Sequence, residues 1–163
     1  MKMLVLIGGL LFCGGRAWAQ KTPAVGVESA VPFKGANAIV VHVPDSASVA
    51  YAKLTKGLLA AGYGLDKSIP GALYVSTPSK PIKDIFGLTL EVNAAPAPTG
   101  AAVVFRGHFT WASAAAIISH TDKRENEVRS MGGGSTPIQQ MWLELQRVAL
   151  ECFPSASISY KKL

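Results

Sequence analysis

His42, Glu91, Arg106 and His108 are the residues of this chain whose types could do chemistry together. Two imidazoles and a carboxylate can ligate zinc, and an arginine beside them can hold an anion. Their spacing follows no fixed ligand motif, so such a site requires the four side chains to meet on one face of a sheet. Cross-strand charge pairing on a solvated face accounts for the same residues without a ligand. Ser119, His120 and Asp122 crowd a second polar stretch. A hydrolytic triad needs nucleophile and base in hydrogen-bond contact plus an oxyanion donor, and the chain has no Gly-x-Ser-x-Gly elbow. His120, Asp122, Lys123, Arg124, Glu125 and Arg129 therefore read as a charged interaction loop. Gly132-Gly133-Gly134-Ser135-Thr136 precedes a helix, where backbone amides can bind an anion. It lacks the Walker lysine and the Gly-x-Gly-x-x-Gly order, so it reads as a flexible tether. No catalytic residue, metal ligand or cofactor is assigned from these motifs.

The elements that must position these groups are legible from hydrophobic period and breakers. Residues 37–43 are β-branched and apolar and stop at Pro44, as a strand does. Asp45 or Ser46 then caps a helix reaching about Ala61, with Val49, Leu54, Leu58 and Ala61 on its apolar side and Gly62 closing it. Short strands are expected at 63–67 and 72–77, around a turn at Ile69-Pro70-Gly71, with Pro78 and Pro81 interrupting pairing. Leu88, Leu90 and Val92 alternate with Thr89, Glu91 and Asn93 before turn chemistry at Ala97-Pro98-Thr99-Gly100. The return strand puts Val103, Phe105, Phe109 and Trp111 on one face and Arg106, His108 and Thr110 on the other. Thr136 and Pro137 open a second helix, with Ile138, Met141, Trp142, Leu145, Val148, Ala149 and Cys152 at helical spacing. Pro154 ends it, and residues 157–160 supply a last strand. The expected fold class is α+β: an antiparallel sheet of four to six strands with two helices packed on one face, in the order β-α-β-β-β-β-α(-β).

Lys2, an apolar run from Met3 to Phe12 and the small-residue site Ala17-Trp18-Ala19 read as a secretory signal peptide over residues 1–19. The run falls short of the about 20 apolar residues that a membrane-spanning helix needs. Lipid attachment through Cys13 is the lesser alternative, because Phe12 replaces the small residue normally found before a lipidated cysteine. An extended leader is expected over 20–36 and a single domain over 37–163, with a mobile loop at about 114–135. The expected destination is the periplasm or the cell exterior. Without Lys2 and Arg16, the 16 basic residues fall to 14 against 10 acidic ones, a formal charge of +4. The basic residues are scattered, with only Lys123-Arg124 and Lys161-Lys162 adjacent, which argues against a nucleic-acid footprint. Cys152 stands alone once Cys13 is removed, so no intramolecular disulfide forms, and its place on the apolar stripe predicts a buried thiol.

The element order, the Ile39-Val40-Val41 strand, the Asp45-Ser46 helix start and the Ala61-Gly62-Tyr63-Gly64 stop resemble small exported bacterial domains of unknown function with a TBP-like, helix-grip fold. The resemblance covers about residues 37–152. In outline the chain is also similar to the helix-grip domains of envelope assembly lipoproteins. Such a resemblance implies a fold and supplies no catalytic residue. The function expected is that of an exported noncatalytic domain binding a protein or envelope component. It would do so through its polar sheet face, a free strand edge or the charged loop. The alternatives are a small-ligand pocket between helix and sheet near Trp111 and Trp142, and a hydrolase using His108 or His120.

Overall fold

The computed structural model describes Gly26 and residues 28–82, 86–111 and 127–163. The expected signal peptide and the loop residues His120, Asp122, Lys123, Arg124 and Glu125 lie outside the described residues. The elements run β1 (Glu28–Ser29), β2 (Ala38–Val43), α1 (Ala47–Ala60), β3 (Lys67–Ile69), a 3-10 turn (Pro70–Ala72), β4 (Tyr74–Ser76) and β5 (Lys80–Ile82). Then follow β6 (Phe86–Ala97), β7 (Gly100–Trp111), α2 (Pro137–Cys152) and β8 (Ser157–Lys161). The sheet order is β1-β8-β2-β7-β6-β4-β3, with β5 paired to β6, and each pairing is antiparallel. Both helices pack against each other and on the same sheet face.

The α+β class is as expected, but among the described residues the sheet has eight strands where four to six were expected. The surplus over six comes from β1 and β5, segments of two and three residues too short to show a period of two, while β3 forms at Lys67–Ile69, later than the expected 63–67. Glu28–Ser29 lies in the stretch read as a leader. Pro81 does not interrupt pairing: it sits opposite Gly87 in β5, an edge strand that among the described residues has no second neighbour to call on its missing N–H. No helix among the described residues is long and apolar enough to cross a membrane.

Strand alternation builds the core. Ile39, Val41, Leu88, Leu90, Val92, Val103 and Phe105 point to the helix side and are fully or almost fully buried. From α1 they meet Leu54 and Leu58, and from α2 Met141, Trp142, Leu145 and Val148. Burial of each such leucine stabilises the fold by about 1.5–3 kcal/mol. The α2 stripe follows its expected spacing, while on α1 Val49 is exposed and Ala47, Ala50 and Tyr51 take the buried side.

The caps differ in kind. Thr136 Oγ1 accepts from Gln139 N at 3.2 Å, and Pro137 occupies the first turn of α2. Ser46 holds the corresponding position of α1 without accepting from a backbone amide, its hydroxyl meeting Ser48 Oγ at 3.2 Å, and Asp45 pairs with Lys53 Nζ at 2.6 Å. At the far end of α1, Gly62 takes φ 77°, and Tyr63 N donates to Leu58 O while Gly62 N donates to Leu59 O. This is a Schellman closure, and Leu58 and Tyr63, which flank it, are both buried in the core. Tyr63 was expected in a strand; the left-handed glycine before it turns it inward instead.

Tyr63 also fastens the helix layer. Its hydroxyl donates to Glu144 at 2.9 Å, Lys80 Nζ lies 4.2 Å from its ring centre, and Arg147 grips Glu144 through two bonds of 2.7 Å. Arg147 holds the Glu144 carboxyl below its ordinary range despite partial burial, whereas burial and then Glu144 push the Tyr63 phenol up.

The helices touch where α1 has no side chain. A Cβ on Gly57 would lie 2.7 Å from Cys152 Sγ and 2.9 Å from Cys152 Cα, closer than packed atoms approach. Gly57→Val should therefore force the helices apart and cost about 2 kcal/mol or more, in line with overpacked cores. A urea titration would show this as a lower midpoint; an unchanged midpoint would mean that the crossing is looser than described.

Candidate functional site

Chain reversal at Gly100 sets everything on the sheet face opposite the helices. Gly100 adopts φ 128°, and a Cβ there would sit 2.1 Å from Val43 O, so only glycine fits. From the Ala97↔Gly100 pair, the register runs outward to place Asn93 opposite Val104, Glu91 opposite Arg106 and Thr89 opposite His108. Because side chains alternate, these residues share the face that the helices do not cover.

On this face Glu91 does not bond its direct neighbour. His108 Nε2 lies 3.3 Å from Glu91 Oε2, both side chains being more than a third exposed. Arg106 NH2 instead donates to Glu127 Oε1 at 3.0 Å. Glu127 arrives on a segment that continues the line of β2 alongside β7. Val128 N donates to Gly107 O, and Ser130 N to Ala36 O, each at 2.8 Å. The absence of a side chain at Gly107 leaves room for Val128, which is completely buried.

The Glu127 carboxylate is only 15% exposed and accepts from Arg106 NH2 and Asn37 Nδ2, each at 3.0 Å, with Arg129 Nε in ion-pair range at 3.8 Å. Asn37 is itself buried and accepts from Leu163 N at 2.8 Å. One carboxylate thus ties β2, β7, the chain end and the end of the region read as a mobile loop. Arg106 Nε is buried without a hydrogen-bond partner among the described residues.

His42 belongs to a different group. It stands opposite Ala102 in β7, four residues from Arg106, or about 13 Å at the rise of a strand. Its Nε2 lies 2.7 Å from Glu28 Oε1 and 3.2 Å from Ser159 Oγ, and the Ser159 hydroxyl also donates to Glu28. The residue types are those of a hydrolytic triad, yet acid and hydroxyl meet the same ring nitrogen. A relay needs the acid on Nδ1 and the hydroxyl on Nε2, so this cluster holds a carboxylate and does not activate a serine. Ser159 first and His42 second hold the Glu28 carboxyl below its ordinary range.

The four residues picked from sequence therefore share a face and split into two groups: Glu91, Arg106 and His108 with Arg129, and His42 apart. Glu28, Asn37 and Glu127, which complete both groups, were not picked. Glu127 had a local signal, since Glu127, Val128 and Arg129 alternate as a strand does; Glu28 had none. Among the described residues no group of three or more His, Cys, Asp or Glu is arranged to hold a metal ion.

Trp142 is fully buried against Tyr160, and the side chain of Trp111 lies outside the described residues. A cleft of about 320 Å³ opens elsewhere, lined by Val43, Pro44, Lys53, Cys152 and Phe153. Burial pushes the Cys152 thiol up to about 12, which keeps it protonated and unreactive near neutral pH. No protein-family model matches the chain, and no curated protein matches it in sequence.

The two acids of the main group carry unequal weight. Glu127→Ala strips partners from a largely buried set of charge-assisted bonds and should cost about 1.5–3 kcal/mol. Glu91→Ala removes an exposed pair and should cost under about 1 kcal/mol. Equilibrium denaturation of both variants checks the order; equal losses would contradict it.

Proposed function

We propose that this chain is an exported, noncatalytic binding domain of TBP-like type that docks a protein or envelope component on its polar sheet face. The observation that carries the reading is the contrast within that face. Its backbone is fixed by the long β6–β7 ladder and by Glu127, while Glu91, Arg106, His108 and Arg129 keep about two-fifths to half of their side chains in water. Such a surface loses little freedom on association, and its exposed ion pairs exchange partners at small cost. Charged groups held this way serve partner choice and encounter rate more than bond making.

Envelope extract passed over the immobilised protein tests this directly. A specific partner should be retained, and His108→Ala combined with Arg129→Ala should cut its recovery by about fivefold or more, as loss of an interface anchor does, with the fold unchanged by circular dichroism. Failure to recover any specific partner, or equal recovery by the double variant, would overturn the proposal.

A further inference from the structure

We infer that the outer edge of β8 is a strand-acceptor site for an extended acidic segment of a partner protein, and that the chain's own β1 fills it in cis. The inference deepens the binding-domain reading and rests on it. β8 is paired along its whole length to β2. On its other side only Tyr160 and Lys161 pair, with Ser29 and Glu28, and Gly26 N adds one bond to Lys162 O at 2.8 Å. Ser157 and Ile158 have no strand beside them on that edge among the described residues. An unpaired edge is a template for strand addition.

The arm itself shows what the edge accepts: an extended strand, antiparallel to β8, whose carboxylate leans across the sheet. Three groups face that carboxylate, Ser159 and Lys161 from β8 and His42 from β2, and each donates a proton or supplies positive charge. Glu28 and His42 are 40% and 41% exposed, so an incoming carboxylate can reach the same seat.

The arm is separable from the core. Ser29 Oγ donates to Val31 O at 2.9 Å and accepts from Val31 N at 3.1 Å, and Val31 is 64% exposed. Anchorage begins at Phe33, which is buried. Among the described residues two ladder positions, the Gly26 N bond to Lys162 O, and the half-exposed Glu28 contacts with His42 and Ser159 hold the arm, a short attachment that a longer strand with an acid in register displaces.

The test uses the chain from Gln20 to Leu163 and a fluorescein-labelled peptide, Val-Gly-Val-Glu-Ser-Ala-Val, read by anisotropy. Glu28→Gln should loosen the arm and raise peptide affinity by about fivefold or more over the unaltered protein. The same peptide with Gln in place of Glu should lose that gain, as should the Glu peptide on Glu28→Gln combined with His42→Ala. Binding unchanged by Glu28→Gln, or a gain that persists with the Gln peptide, would overturn the inference. Dimers of Glu28→Gln on size exclusion without peptide would overturn it too, by assigning the edge to a second copy. His108→Ala with Arg129→Ala lies off this edge and should leave peptide binding intact, so failure of the sheet-face reading and failure of the edge are told apart.

Discussion

The register of the β6–β7 hairpin is the constraint on which the rest depends. Side chains along a strand alternate, so a slip of one residue would carry either Leu88 and Leu90 or Val103 and Phe105 out to water, and turn either Glu91 or Arg106 and His108 into the core. Core and polar face are thus one choice made twice. Gly100 makes it locally, since its left-handed backbone passes within a Cβ length of Val43 O. The apolar face makes it globally, because burial beneath two helices rewards only one register.

Charge on the polar face is arranged in two grades. Glu127 is mostly withdrawn from water and shared by Arg106, Arg129 and Asn37, so its loss would take the acceptor from Arg106 NH2 and leave Asn37 Nδ2 only its 3.4 Å contact with Leu163 O. Glu91 with His108 and Glu28 with His42 are half open, where solvent competes for the same bonds. The first grade holds the end of the expected loop and the chain terminus to the sheet. The second leaves charges addressable from outside, which is the physical basis for reading the face and its β8 edge as binding surfaces.

Much of this was legible in the sequence. The long hairpin, α2 with its Thr136-Pro137 start and the Gly62 stop announced themselves through alternation, helical spacing and breaker residues. The short strands β1 and β5 did not, and β3 forms a few residues later than expected, because two or three residues carry no period and form only when a neighbouring edge is offered. The candidate site was half legible for a related reason. Alternation placed Glu91, Arg106 and His108 on one face, but strand order decides who meets whom, and β2 enters between β8 and β7. That order sends His42 to Glu28 and Ser159 and brings Glu127 to Arg106 from 21 residues away.

Backbone nuclear Overhauser contacts across the hairpin measure the central claim most directly. Contacts should join Asn93 to Val104, Glu91 to Arg106 and Thr89 to His108. Contacts joining Glu91 to Phe105 or to Gly107 as its direct opposite would mean a shifted register, and with it a different polar face and a different site.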